Sequence, residues 1–106
     1  MKNEHWIAVR VIQNGYLLDT NYDVRAHTYY INVKANTTFD LQYFLIPESD
    51  EHITVTSLDY NNDILQLVST EYQTFTFKPV KTGITHVTIQ TKKHSSGSPS
   101  EIRIIE

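Results

Sequence analysis

Period-two hydrophobic alternation along nearly the whole chain, regularly spaced turn residues and the lack of any sustained helical stripe predict an all-β fold. The form expected is an antiparallel β-sandwich of about eight short strands, a number that follows from the spacing of the turn signals. The 106 residues make one domain, 1–106, near the commonest domain size. Hydrophobic residues at 40% and charged residues at 20% fit a globular chain that fills its own core.

The elements follow in order. Residues 5–13 alternate, with His5, Ile7, Val9 and Val11 on one side, and run into Asn14-Gly15. Asn-Gly between apolar strands signals a type I′ hairpin, because both residues tolerate positive φ. A short strand at 16–19 leads into a polar connection, 20–23, and then a strand at 28–34 with Tyr29, Ile31 and Val33 inward. A turn at Ala35-Asn36-Thr37 precedes a strand at 38–46, whose Phe39, Leu41, Tyr43 and Leu45 share one face. Pro47 ends it and opens an acidic loop carrying Glu48, Asp50 and Glu51. Ile53 and Val55 point inward from a strand at 52–57. Asp59–Asp63 forms a polar loop, and Leu65 and Leu67 mark the next strand at 64–69. Strands at 72–79 and 84–92 then present Phe75 with Phe77 and Val87 with Ile89. They are expected to close as a hairpin across a turn held by Pro79 and Gly83. A small-residue loop, 93–100, leads to a last strand marked by Ile102 and Ile104.

Composition excludes several function classes. Nine basic against twelve acidic side chains, net charge −3, give no basic stripe for nucleic acid. The absence of cysteine removes thiol catalysis, zinc thiolates and disulfides. The N-terminus lacks the apolar core of a secretory signal, and no stretch approaches the roughly 20 apolar residues of a membrane span, so neither export nor a membrane partner is expected.

The chain offers little for catalysis. His5, His27, His52, His86 and His94 fall in no ligand spacing, and strand or surface histidines are the plain reading. Asp59–Asp63 opens like a calcium loop but lacks the glycine at its sixth position and has Thr70 where the acidic ligand belongs. No Gly-rich phosphate loop and no Gly-x-Ser-x-Gly occurs, and the clustered carboxylates read as a solvated loop. No catalytic residue, metal site or cofactor is expected, and the chain is read as a non-enzyme. Tyr29, Tyr43 and Tyr72 fall on core phases; Tyr16, Tyr22, Tyr30 and Tyr60 fall near turns or outward. Trp6 is out of phase with Ile7 and Val9 and therefore faces away from that strand's apolar side. An outward tryptophan suits an interface.

The segments Ile53-Thr-Val-Thr-Ser57 and Phe75–Thr91, with Val80, Gly83, Val87 and Ile89 in the closing positions, resemble the second half of group-2 bacterial immunoglobulin-like domains. His27–Asp40 is similar to a piece of the Bacteroidetes-associated BACON sandwich domains, with Phe39 where those carry tryptophan. The resemblance implies an Ig-like sandwich, here without the inter-sheet disulfide of antibody domains. By fold-level analogy, a lone domain of this kind resembles the accessory proteins that tailed bacteriophages place on capsids or tails. The expected role is then structural and non-catalytic. The partners would be capsid or other virion subunits in a multi-copy assembly, located in the virion and assembled in the host cytoplasm, with a glycan as a further partner class.

The partner-binding residues expected are Trp6 on an open edge strand and the loop residues Lys92, Lys93, His94, Ser95, Ser96, Gly97 and Ser98. Two alternatives accompany this reading. The Phe75–Gly83 strand pattern also resembles chagasin-type cysteine protease inhibitors, which would use Asn36–Thr38 and 92–98, although their Gly-rich and Arg-Pro-Trp-like loops have no counterpart here. A small carbohydrate-binding module using Trp6 and the tyrosines is the other.

Overall fold

In the computed structural model, which describes residues 6–92, 95–96 and 100–106, the chain alternates between two facing sheets. The strands are β1 (Trp6–Gln13), β2 (Tyr16–Leu17), β3 (Asn21–Asp23), β4 (Thr28–Lys34), β5 (Phe39–Ile46), β6 (Val55–Asp59), β7 (Leu65–Glu71), β8 (Thr74–Pro79), β9 (Gly83–Thr91), β10 (Ser95–Ser96) and β11 (Ser100–Ile105). Among the described residues there is no helix. Three of these strands, β2, β3 and β10, have two or three residues, which accounts for the excess over the expected number.

The first sheet has the order β10-β1-β5-β8-β7, with β2 also on β1; the second has β3-β4-β11-β9-β6. The order β1-β5-β8-β7 facing β6-β9-β11 is the ABED-on-CFG arrangement of the immunoglobulin fold. The sandwich is antiparallel except at two places, where β4 runs parallel to β11 and β10 parallel to β1.

Local chemistry sets most of these elements. Asn14 and Gly15 take φ of 56° and 79°, and Gln13 pairs with Tyr16 across them, as the expected two-residue hairpin requires. Asn36 at φ 65° makes the turn between β4 and β5. Phe39, Leu41, Tyr43 and Leu45 are all buried, as are Ile31, Val33, Ile102 and Ile104 from the facing sheet. Phe77 is fully buried and meets Phe39 at 5.7 Å and Tyr60 edge-on at 5.1 Å, while Tyr43 stacks on Phe75 at 5.2 Å.

The Phe75–Thr91 pair departs from the hairpin expected of it. β8 lies between β5 and β7 in the first sheet, and β9 lies between β11 and β6 in the second. The link 80–82 therefore crosses the end of the sandwich. Three linking residues reach about 13 Å, enough to bridge layers about 10 Å apart. Both strands bury alternate residues because each faces the other sheet, so the alternation that suggested a hairpin equally suits two facing strands. β8 makes its hairpin with β7 instead, through Tyr72-Gln73, with Gln73 at φ 51°. Val80 leaves the core and is half exposed. The segment 20–23 contains β3, which pairs with β4 where only a connection was expected.

β6 and β7, the outermost strands on one side of each sheet, both carry a register shift, between Val55 and Ser57 and between Leu67 and Ser69. In β6 the shift changes phase, so Ile53 is buried, Val55 partly so, and Leu58 then packs on the core.

Gln13 fastens the two layers together. It ends β1 yet is buried; its Nε2 donates to the carbonyls of Lys34 (3.0 Å) and Thr37 (3.1 Å), and its Oε1 accepts from Lys34 N–H (2.9 Å). Gln13→Leu keeps the volume but leaves three main-chain groups without partners, and should lower stability by about 2–4 kcal/mol in urea unfolding monitored at Trp6. Gly83 has φ +149°, and a Cβ there would meet Ile64 Cδ1 at 2.9 Å. Gly83→Ala should accordingly cost about 1–3 kcal/mol in the same measurement.

Candidate functional site

The outward face of the first sheet is read from its register. Trp6 stands opposite Ile46, Ala8 opposite Phe44, and Arg10 opposite Gln42, which in turn faces Thr74 of β8. Trp6 is 52% exposed and Ile46 47%, and directly opposed side chains on one face are in contact range. The outward phase expected of Trp6 is therefore observed. Its neighbours on that face are apolar at Ile46, Phe44 and Ala8; Arg10 opposite Gln42 comes next, and then Ile12 opposite Asp40.

Strand direction gathers the loops at this end. β1 begins here and β5 ends here; the β7–β8 turn, 72–73, and the 47–54 connection to β6 lie alongside. Lys92 N–H donates to Thr54 C=O at 3.0 Å, which ties the exit of β9 to the same connection. Ser95 and Ser96 pair in parallel with Trp6 and Ile7. The two segments named from sequence, the start of β1 and the loop after β9, thus meet, and Lys92 is exposed beside them. Lys93, His94, Gly97 and Ser98 lie outside the described residues. The open edge expected at the start of β1 is not open, because β10 occupies it at Trp6 and Ile7, and β2 occupies Ile12 and Gln13.

Arg10 is held in place on this face. Its Nε donates to Gln42 Oε1 at 2.7 Å, and its guanidinium carbon sits 5.0 Å from the Phe44 ring centroid. A cavity of about 470 Å³ opens beside it, bounded by Arg10, Phe44, Ile46, Glu48, Ser49 and Gln73. A second, of about 190 Å³, shares Arg10, Phe44 and Gln73 and extends to Tyr72 and Thr74. Together they form one trough across the sheet face.

Tyr72 is 76% exposed, not on the core phase. It belongs to the β7–β8 turn, and the strand phase starts only at Thr74. Gln73 anchors that turn: its Nε2 donates to Tyr43 C=O at 2.8 Å, and its carbonyl accepts from Tyr43 N–H at 3.0 Å. Tyr60 moves the other way, packing against Phe77. Sequence reading passed over Arg10, Phe44 and Ile46. The signal was present in Tyr43-Phe44-Leu45-Ile46, four apolar residues in a row, which places two of them outward on any strand.

The remaining candidates are spread apart. His86 Nε2 lies 3.3 Å from Glu101 on the outer face of the second sheet, where Arg103 also pairs with Glu101 at 2.9 Å. His27 Nδ1 meets Tyr22 Oη at 3.3 Å. In the 59–63 loop, Asn61 Oδ1 accepts from Asp63 N–H and Asn61 C=O accepts from Ile64 and Leu65, so its polar atoms build a turn. Among the described residues no group of three or more possible metal ligands occurs, and no helix is long and apolar enough to cross a membrane.

Asn36–Thr38 and Lys92 lie at opposite ends of β11. Ala35 N–H donates to Ile105 C=O at the far end, whereas Lys92 follows β9 beyond the Ser100 end. The intervening strand, Ser100–Ile105, spans about 20 Å. Lys92 and the Asn36–Thr38 turn therefore stand about one strand length apart. Comparison with protein-family models, curated proteins and solved structures yields no match to this chain.

Tyr43 lies under the trough, and burial, with a smaller contribution from the neighbouring Tyr72, raises its pKa above the ordinary 10.0. The folded state therefore keeps a proton that the unfolded chain releases. Stability from this group is fully present below the unfolded value and is lost as pH rises from there through the higher folded value. From about pH 9 upward the urea midpoint should fall more steeply for the wild type than for Tyr43→Phe. Parallel slopes would remove the assignment.

Proposed function

We propose that the chain is a non-catalytic Ig-like binding domain whose contact surface is the Trp6 end of the sandwich, and that it serves as a virion-associated accessory protein of a tailed bacteriophage. The observation that carries the first part is the juxtaposition of an exposed tryptophan, Ile46 and the Ser95–Ser96 strand at one end of the fold. A half-exposed Trp–Ile pair beside polar loops has the make-up of an interface anchor with its rim.

The bulges of β6 and β7 point the same way, since they hinder further strand pairing at those edges. Association through faces and loops suits such a framework better than strand addition. The capsid or tail setting is a fold-level analogy carried by the Ig-like architecture. In that setting the partners are virion subunits presented in many copies, and repetition strengthens a modest single contact.

Co-sedimentation with assembled particles tests the proposal. The wild type should pellet with capsids or tails, and Trp6→Ser, at an exposed site, should weaken pelleting about tenfold while leaving the unfolding midpoint within experimental error. A wild-type protein that remains wholly soluble in the presence of particles would sink the idea.

A further inference from the structure

The trough around Arg10 carries a more specific chemistry than a general contact surface. Arg10 spends its Nε on Gln42 and rests on Phe44, so its terminal N–H groups are oriented yet uncommitted. Among the described residues no carboxylate lies within ion-pairing distance of it, although Glu48 lines the same cavity. The walls therefore hold one fixed cation and one separate anion. A ligand bearing a net charge would satisfy one and oppose the other, so the charge balance favours a neutral ligand.

Donors and acceptors are likewise mixed. Arg10 and the Gln42 amide offer N–H groups, while Glu48 and the Gln73 side-chain oxygen accept; Gln73 Nε2 is already committed to Tyr43. A hydroxyl, which donates and accepts at once, matches such a lining. The apolar components are Ile46, half exposed at one end of the trough, and Tyr72, whose ring stands largely free at the other, whereas the Phe44 ring is covered by Arg10. An extended peptide fits less well, because main-chain pairing needs a sheet edge and the trough lies on a face whose backbone is committed to the β1–β5–β8 ladder. Its combined size falls within the range that holds small ligands, and it is open along its length.

We propose that this trough binds a neutral oligosaccharide, with one sugar ring laid C–H face down on Tyr72 and its hydroxyls shared among Arg10, Gln73 and Glu48. The proposal rests on reading the chain as a binding domain and adds the ligand class for one part of its surface.

The test is an NMR titration of the full-length, ¹⁵N-labelled protein with neutral oligosaccharides of glucose, galactose, mannose and N-acetylglucosamine at millimolar concentration. An oligomer of a uronic acid and a zwitterionic free amino acid are titrated in parallel. A neutral sugar should shift the amides of Phe44, Gln73 and Thr74. Tyr72→Ala and Arg10→Ala should each weaken binding about tenfold or more, whereas Ile84→Ala, on the other sheet, should leave it unchanged. Shifts from the uronic acid or the amino acid alone would overturn the proposal. So would the absence of shifts with every neutral sugar, or an unchanged affinity in Tyr72→Ala. Particle pelleting by Tyr72→Ala separates the two readings. Pelleting retained with sugar binding lost leaves both standing, while sugar binding by a wild type that never pellets removes only the virion role.

Discussion

The buried amide of Gln13 is the constraint on which the rest of the sandwich depends. Two β-sheets held only by apolar contact can slide, because the hydrophobic effect has no direction. Gln13 belongs to the first sheet, and its three hydrogen bonds reach the end of β4 and the turn that follows, in the second. It also stands opposite Phe39, the first residue of β5. One side chain thus fixes where β4 stops, how the chain returns across the layers and where β5 begins. Register then propagates along the β1–β5 ladder to Trp6 opposite Ile46. A slip of β1 by one residue would turn Trp6 inward and expose Ile7 and Val11, so the outward face of the first sheet inherits its order from a clamp at the far end of the strand.

The crossing links follow from the same demand. Each sheet must supply an apolar face to the other, and consecutive strands can be divided between layers when the link spans the gap between them. The 80–82 link does so within three residues, and Gly83 accepts a backbone angle and an approach to Ile64 that a side chain would resist. Phe77 before the crossing and Val87 and Ile89 after it then face one another's sheets in the core. Meanwhile β7 and β6, at the margins, are bulged, which limits growth of either sheet through those edges.

Much of this was legible in the residues. Alternation located Phe39, Leu41, Tyr43 and Leu45, and Asn14-Gly15 and Asn36 announced their turns through residues that tolerate positive φ. Pairing was less legible, because alternation reports which side of a strand is buried and not which strand lies beside it. Phe75–Thr91 reads identically as a hairpin or as two strands in opposite layers. Tyr72 was misplaced for a related reason: extending the β8 phase two residues backward ignores a turn marked only by Gln73, a residue with no turn preference of its own. Trp6 could be placed outward from phase alone, but its meeting with Ser95 is a parallel long-range pairing that no local pattern encodes. Arg10 was silent because a single arginine on a strand is ordinary until its neighbours across the sheet are known.

Those neighbours also explain how an exposed cation can be a defined element of a surface. A free arginine on a strand samples many rotamers, and ordering it on a ligand costs up to about 2 kcal/mol of side-chain entropy. Here Gln42 and Phe44, placed across from Arg10 and Ala8 by the β1–β5 register, confine the guanidinium before any ligand arrives. Gln73 does the same for the turn carrying Tyr72 by closing both of its hydrogen bonds on Tyr43, a buried residue of the same β5 strand. Arg10 and Tyr72 are thus referred to one strand, whose position is set by the Gln13 end of the ladder. The rigidity of the core is thereby conveyed to two exposed side chains, and that pre-organisation distinguishes the trough from an arbitrary patch of polar surface.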